Sequence, residues 1–147
     1  MWVIHPVWML AALAVGIVAG YLGLIRSQFV RGLPGSFSLA GHVGSGLALV
    51  VLLWGGIAVA AALEEPLGAA VGAGRLSLAR THGPLAFACA GLYAVAGILG
   101  LVLLVRRRQG RGAEPATRKL ARAHLIFNYT ACGLALVVVI LGVLMVR

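Results

Sequence analysis

Residues 81–105 read THGPLAFACAGLYAVAGILGLVLLV, a run without a single Asp, Glu, Lys or Arg. At about 1.5 Å per residue, a helix of this length crosses the ~30 Å hydrocarbon core of a bilayer. One charge at the centre of such a helix costs about 2.5–3.5 kcal/mol on insertion scales. Working outward, residues 1–25, 32–63 and 123–146 are also free of charge. Spanning helices are predicted near 3–25, 40–63, 82–106 and 119–146. The expected fold is all-α, a four-transmembrane-helix up-down bundle forming one domain over 1–147.

Composition points the same way. Of 147 residues 62% are hydrophobic and 10% charged, and the mean hydropathy is +1.06. Soluble domains carry nearer ~25% charged residues. A chain this short leaves too much surface wet to hide so much apolar area. A soluble enzyme is excluded, and so is a disordered chain. The net charge of +9 would suggest nucleic acid in a soluble protein. Here the cations lie between apolar blocks, so membrane lipid is the expected partner and nucleic acid is not.

The predicted connections are short: RSQFVRGLPGSFS, EEPLGAAVGAGRLSLAR and RRRQGRGAEPATRK. Arg26, Arg31, Arg106, Arg107, Arg108, Arg111, Arg118, Lys119 and Arg122 fall on one side; Arg75, Arg80 and Arg147 fall on the other. That bias places the first and third connections in the cytoplasm and both termini outside, in a bacterial inner (plasma) membrane. The opening MWVIHPVWML has no basic n-region, so a cleaved leader is not expected.

Each predicted span has one histidine at its start: His5, His42, His82 and His124. Spans alternate in direction, so His5 and His82 are expected on the outer side and His42 and His124 on the inner. Two imidazoles at one level on separate helices are what a six-coordinate b-type haem needs. A weak repeat accompanies them: Leu78-Ala79-Arg80-Thr81-His82 recurs as Leu120-Ala121-Arg122-Ala123-His124, and Leu39-Ala40-Gly41-His42 is a looser relative.

A flat ring needs thin helices. Eighteen residues make five turns, or about 27 Å, and return to the same helix face. From the four histidines that step reaches Gly23, Ala60, Gly100 and Gly142, all small. Gly20, Gly56 and Gly97 join Gly23, Gly100 and Gly142 as expected ring-facing positions. Arg80 and Arg122 each precede a histidine by two residues and suit anionic propionates; Asn128, one turn from His124, suits an imidazole or a propionate.

Plainer readings accompany these. Small-residue faces also serve ordinary helix packing. Arg80 and Arg122 also serve as topology anchors. Trp2, Trp8 and Trp54 read as interfacial or lipid-facing residues, and Cys89 and Cys132 as small packing residues. Tyr21, Tyr93 and Tyr129 are candidate liners of a quinone pocket. Glu64, Glu65 and Pro66 read as a helix end and turn, and Arg106–Arg108 as an orientation signal touching anionic lipid. No acid lies within a predicted span, so a carboxylate proton relay is not expected.

On these residues the chain resembles a family of four-span membrane proteins of cyanobacteria and other bacteria, known mainly as a domain of unknown function. The matching features are His5-Pro6 with Met9, Tyr21-Leu22-Gly23, His42, and Ala121-Arg122-Ala123-His124 with Asn128. The match covers most of the chain through short motifs. The layout also resembles four-helix b-type cytochromes, including ascorbate-reducible and ferric-reductase-like proteins. Those commonly place two histidines on one helix, where this chain has one on each. The resemblance implies a redox role, such as a quinol- or ferric-reductase-like oxidoreductase.

The expectation is a cytochrome with two haem b groups that carries electrons across the membrane. His5 and His82 would ligate the outer haem, and His42 and His124 the inner. A quinone or redox protein is the expected partner, and a homodimer is compatible. Two alternatives stand beside it: a cofactor-free anchor or assembly subunit of a larger complex, and a small transporter binding Cu or Zn through histidine.

Overall fold

The computed structural model describes residues 4–27, 35–62 and 76–146. The fold is all-α, with four helices long and apolar enough to cross a membrane: α1 (Ile4–Ser27), α2 (Leu39–Ala62), α3 (Leu76–Arg108) and α4 (Pro115–Val146). The chain divides into two units, Met1–Leu63 and Glu64–Arg147. Each contains one antiparallel helical hairpin: α1 packs on α2, and α3 on α4.

In the first hairpin the packing is small against large. Ala12, Gly16 and Ala19 form a stripe on α1, at the i, i+4, i+7 spacing that shares one helix face. Leu49 and Leu53 on α2 are buried with Ala12 and Ala19. A Cβ placed on Gly16 would lie 3.5 Å from Leu49 Cδ1, so the glycine admits the leucine knob. Ser38 caps α2: its Oγ accepts from the Gly41 N–H at 3.1 Å, satisfying one of the helix's orphan donors. That cap fixes where the first turn starts, and with it the position of His42.

In the second hairpin Cys89, Ala90, Tyr93, Ala96 and Leu103 on α3 are buried, with Ala131 and Val138 on α4. The turn between the helices is tight. Gly110 takes a left-handed φ of 75°, and its N–H bonds the Arg107 carbonyl at 3.1 Å, ending α3. A 3-10 turn over Arg111–Ala113 leads to Pro115 at the first position of α4, where its missing N–H costs nothing.

The outside of both hairpins is apolar. Ile17, Val51, Ile98, Ile126 and Leu136 are each more than 60% exposed. In water such a surface would aggregate; in lipid it is matched to its solvent. This is a multi-pass membrane protein.

Two predicted boundaries shift. α3 begins at Leu76 rather than near residue 82, and α4 at Pro115 rather than near 119. Absence of charge marks the hydrocarbon, whereas a helix continues past it wherever backbone and caps permit. Most of the predicted third connection is therefore helical, and only residues 109–114 join α3 to α4. Pro84 sits inside α3 rather than near its start, leaving the Arg80 carbonyl without its usual helical donor. Glu64, Glu65, Pro66, Arg31, Arg75, Trp2 and Arg147 lie outside the described residues.

Candidate functional site

The four histidines occupy equivalent places in the two hairpins. Each ring lies against a small residue on the opposite helix of its own hairpin. In the first, the His5 Nδ1 is 3.1 Å from the Gly56 carbonyl oxygen, and the His42 Cε1 would meet a Cβ on Gly23 at 3.5 Å. In the second, the His82 Cε1 would meet a Cβ on Gly142 at 3.3 Å, and the His124 Cε1 one on Gly100 at 3.1 Å. Antiparallel pairing makes the arrangement reciprocal: the early histidine of each helix meets the late glycine of its neighbour.

Gly23, Gly56, Gly100 and Gly142 thus face imidazoles of the adjacent helix. Three of them are positions the eighteen-residue step picks out for a haem plate; here each lies against an imidazole. The fourth is Gly56, one turn before the predicted Ala60. Gly20 has open space where a side chain would project. Gly97 follows Ala96, whose carbonyl is part of the His124 seat. Two histidines are also deeper in their helices than predicted: His82 lies six residues after Leu76, and His124 nine after Pro115.

Hydrogen bonding fixes two of the rings. The His124 Nδ1 is 2.8 Å from the Ala96 carbonyl oxygen. A carbonyl can only accept, so Nδ1 carries the proton in both His5 and His124. The lone pair then resides on Nε2. The Asn128 amide nitrogen lies 3.2 Å from the His124 Nε2 and donates to the His124 carbonyl at 3.0 Å. The same amide nitrogen is 3.4 Å from Nδ1, so Asn128 lies beside the His124 ring as a donor, where the sequence offers it as a partner for an imidazole N–H or a propionate. The Nδ1 atoms of His42 and His82 are shut off from solvent.

Other residues divide between the hairpin interfaces and the surface. Trp8, half-buried, also packs within its hairpin: its indole N–H donates to the Leu52 carbonyl at 2.7 Å, and its ring covers Gly55 and Gly56 beside His5. Small residues on α2 open a slot that a large flat side chain fills, a contact that the belt reading of tryptophan misses. Trp54 is exposed. Tyr93 is buried and its hydroxyl meets the Cys132 Sγ at 3.1 Å, so it braces α3 against α4 there. Cys89 is buried, its thiol donating to the Ala131 carbonyl at 3.5 Å, while Cys132 is exposed. Arg80 and Arg122 are exposed. The Arg26 guanidinium lies 5.5 Å from the Phe37 ring centre, and Phe37 in turn lies against His42 with ring centres 5.8 Å apart.

Among the described residues no three His, Cys, Asp or Glu side chains gather into a metal-holding group. The imidazoles and their carbonyl partners are therefore the chemistry on offer, within a multi-pass all-α membrane protein. No protein-family model, curated protein or solved structure matches the chain.

Proposed function

We propose that this protein is a b-type cytochrome of a bacterial inner membrane, carrying electrons from one face to the other, with both termini outside. The reading rests on one observation above all. His5 and His124 each spend their Nδ1 proton on a backbone carbonyl of the neighbouring helix, which leaves Nε2 as the basic nitrogen able to ligate. Metal-binding histidines are ordinarily oriented by such a bond. Bound haem b supplies one-electron redox chemistry at a level set by its axial ligands and surroundings.

In this reading His5 and His82 hold one haem and His42 and His124 the other. Gly100 and Gly142 leave room for the His124 and His82 rings, which a Cβ there would meet at 3.1 and 3.3 Å. Asn128, whose amide nitrogen is 3.2 Å from the His124 Nε2, would border the ligating atom. Arg80 and Arg122, exposed near two of the histidines, offer cations to propionates. Quinol or a small redox protein is the electron partner of this reading, which follows the resemblance to four-span bacterial proteins and transmembrane b-type cytochromes.

The test is a reduced-minus-oxidised visible spectrum of detergent-purified protein, with haem counted per chain. An α-band is expected, and His42→Ala with His124→Ala is expected to remove about half of the haem if each pair holds one ring. A colourless preparation that stays colourless on haem addition ends the proposal and favours a cofactor-free anchor subunit.

A further inference from the structure

The end of the second hairpin is a built, strongly basic surface. Glu114 is the sole acid among the described residues, and both its oxygens are committed. Oε2 accepts from Arg106 at 2.8 Å and Oε1 from Arg111 at 2.8 Å. Thr117, 2% exposed, locks the same turn. Its hydroxyl accepts from the Arg106 Nε at 3.0 Å and donates to the Arg111 carbonyl at 2.8 Å. The acid therefore neutralises the turn itself and none of its neighbours. Arg107 and Arg108 on α3, and Arg118, Lys119 and Arg122 on α4, are exposed, and among the described residues no further acid balances them.

Each helix continues from these cations into exposed apolar side chains on the same face. On α3, Leu101, Val105 and Arg108 follow at i, i+4, i+7; on α4, Arg118, Arg122 and Ile126 follow at i, i+4, i+8. Leu101, Val105 and Ile126 are 43%, 52% and 64% exposed. Cations at the rim of an apolar span sit at headgroup depth, where each attracts anionic lipid. A free phosphate or an acidic soluble protein would match the cations and leave the apolar surface unmatched. An amphiphile matches both.

We propose that the α3–α4 end of this protein is a binding site for anionic phospholipid. The phosphate is held by Arg107, Arg108, Arg118, Lys119 and Arg122, and the acyl chains lie along the apolar faces beyond. This surface uses none of the four histidines and shares only Arg122 with the haem reading, so the variant that tests it leaves Arg122 in place.

Native mass spectrometry tests it directly. The full chain, purified in a neutral detergent, is offered equal amounts of phosphatidylglycerol and phosphatidylcholine. The expected result is preferential retention of phosphatidylglycerol. A variant with Arg107→Gln, Arg108→Gln, Arg118→Gln and Lys119→Gln is expected to lose that preference by about tenfold or more. None of these four side chains bonds the Arg106–Glu114–Thr117 turn, so helical content, read by circular dichroism, is expected to stay unchanged. Millimolar inorganic phosphate is expected not to displace the lipid. Equal retention of both lipids by the wild type, an undiminished preference in the variant, or displacement by inorganic phosphate would each overturn the proposal.

Discussion

The two hairpins reach the same arrangement of imidazoles by different means. In the first, two helices of 24 residues are joined by leucine knobs on a small-residue stripe and by an indole bonded to a backbone carbonyl. In the second, helices of 33 and 32 residues run past the apolar span into a polar turn, and a thiol and a phenol bridge them midway. What both retain is a histidine against a glycine at each end. The two interfaces are held by different side chains, yet each places its histidines beside glycines of the opposite helix. That contrast identifies the seats as the feature the internal repeat preserves, with the surrounding packing free to differ.

The contrast can be broken most forcefully at the glycines. His124 is pinned between the Ala96 carbonyl and Asn128, so Gly100→Leu is expected to destabilise the protein by about 1–3 kcal/mol through overpacking. Gly56→Leu is expected to cost about as much: the Met9 thioether, 2.6 Å from a Cβ there, can move aside, but the Trp8 indole, 3.2 Å away, is held by its bond to the Leu52 carbonyl. Gly20→Leu meets open space and is expected to change little. Thermal unfolding in one detergent ranks the three variants. A Gly20 variant as unstable as the Gly100 variant would show that the seats carry no special constraint.

The closing turn sharpens the comparison next. Thr117→Val removes two hydrogen bonds from a buried site, at about 1 kcal/mol each. Amide exchange is expected to accelerate over residues 109–118 and to stay unchanged in α1 and α2. Acceleration in both hairpins would mean that the turn supports more than its own unit.

The smallest effect is one of pH. The bonds from Arg111 and then Arg106 hold the Glu114 carboxyl below its ordinary range. A carboxyl depressed by folding stabilises the turn above its unfolded pKa, and that contribution fades as pH falls through the folded value. The turn is therefore expected to stay closed at neutral pH and to loosen only under acid conditions. Glu114→Gln should flatten this dependence in exchange rates measured across a pH series. An unaltered profile in the variant would assign the effect to another group.

Much of this was legible in residue order, and the gaps have physical causes. The spans follow from charge-free stretches, because lipid penalises charge at every buried position. The starts of α3 and α4 were hidden, since the polar residues before His82 and His124 continue a helix that has already left the hydrocarbon. Gly23, Gly100 and Gly142 were recognisable by counting turns, whereas what each faces depends on the neighbouring helix, which counting along one helix does not reveal. Trp8 illustrates the same limit. An indole at a membrane edge and an indole filling a glycine slot look alike until the opposite helix is in place.

Reciprocity has a mechanical corollary. Since each ring is clasped by the helix it does not belong to, sliding α3 along α4 by a single turn, about 5.4 Å, would strand His82 and His124 together. A misaligned hairpin has no half-right state to rest in, so the two ends act as a single latch on one alignment.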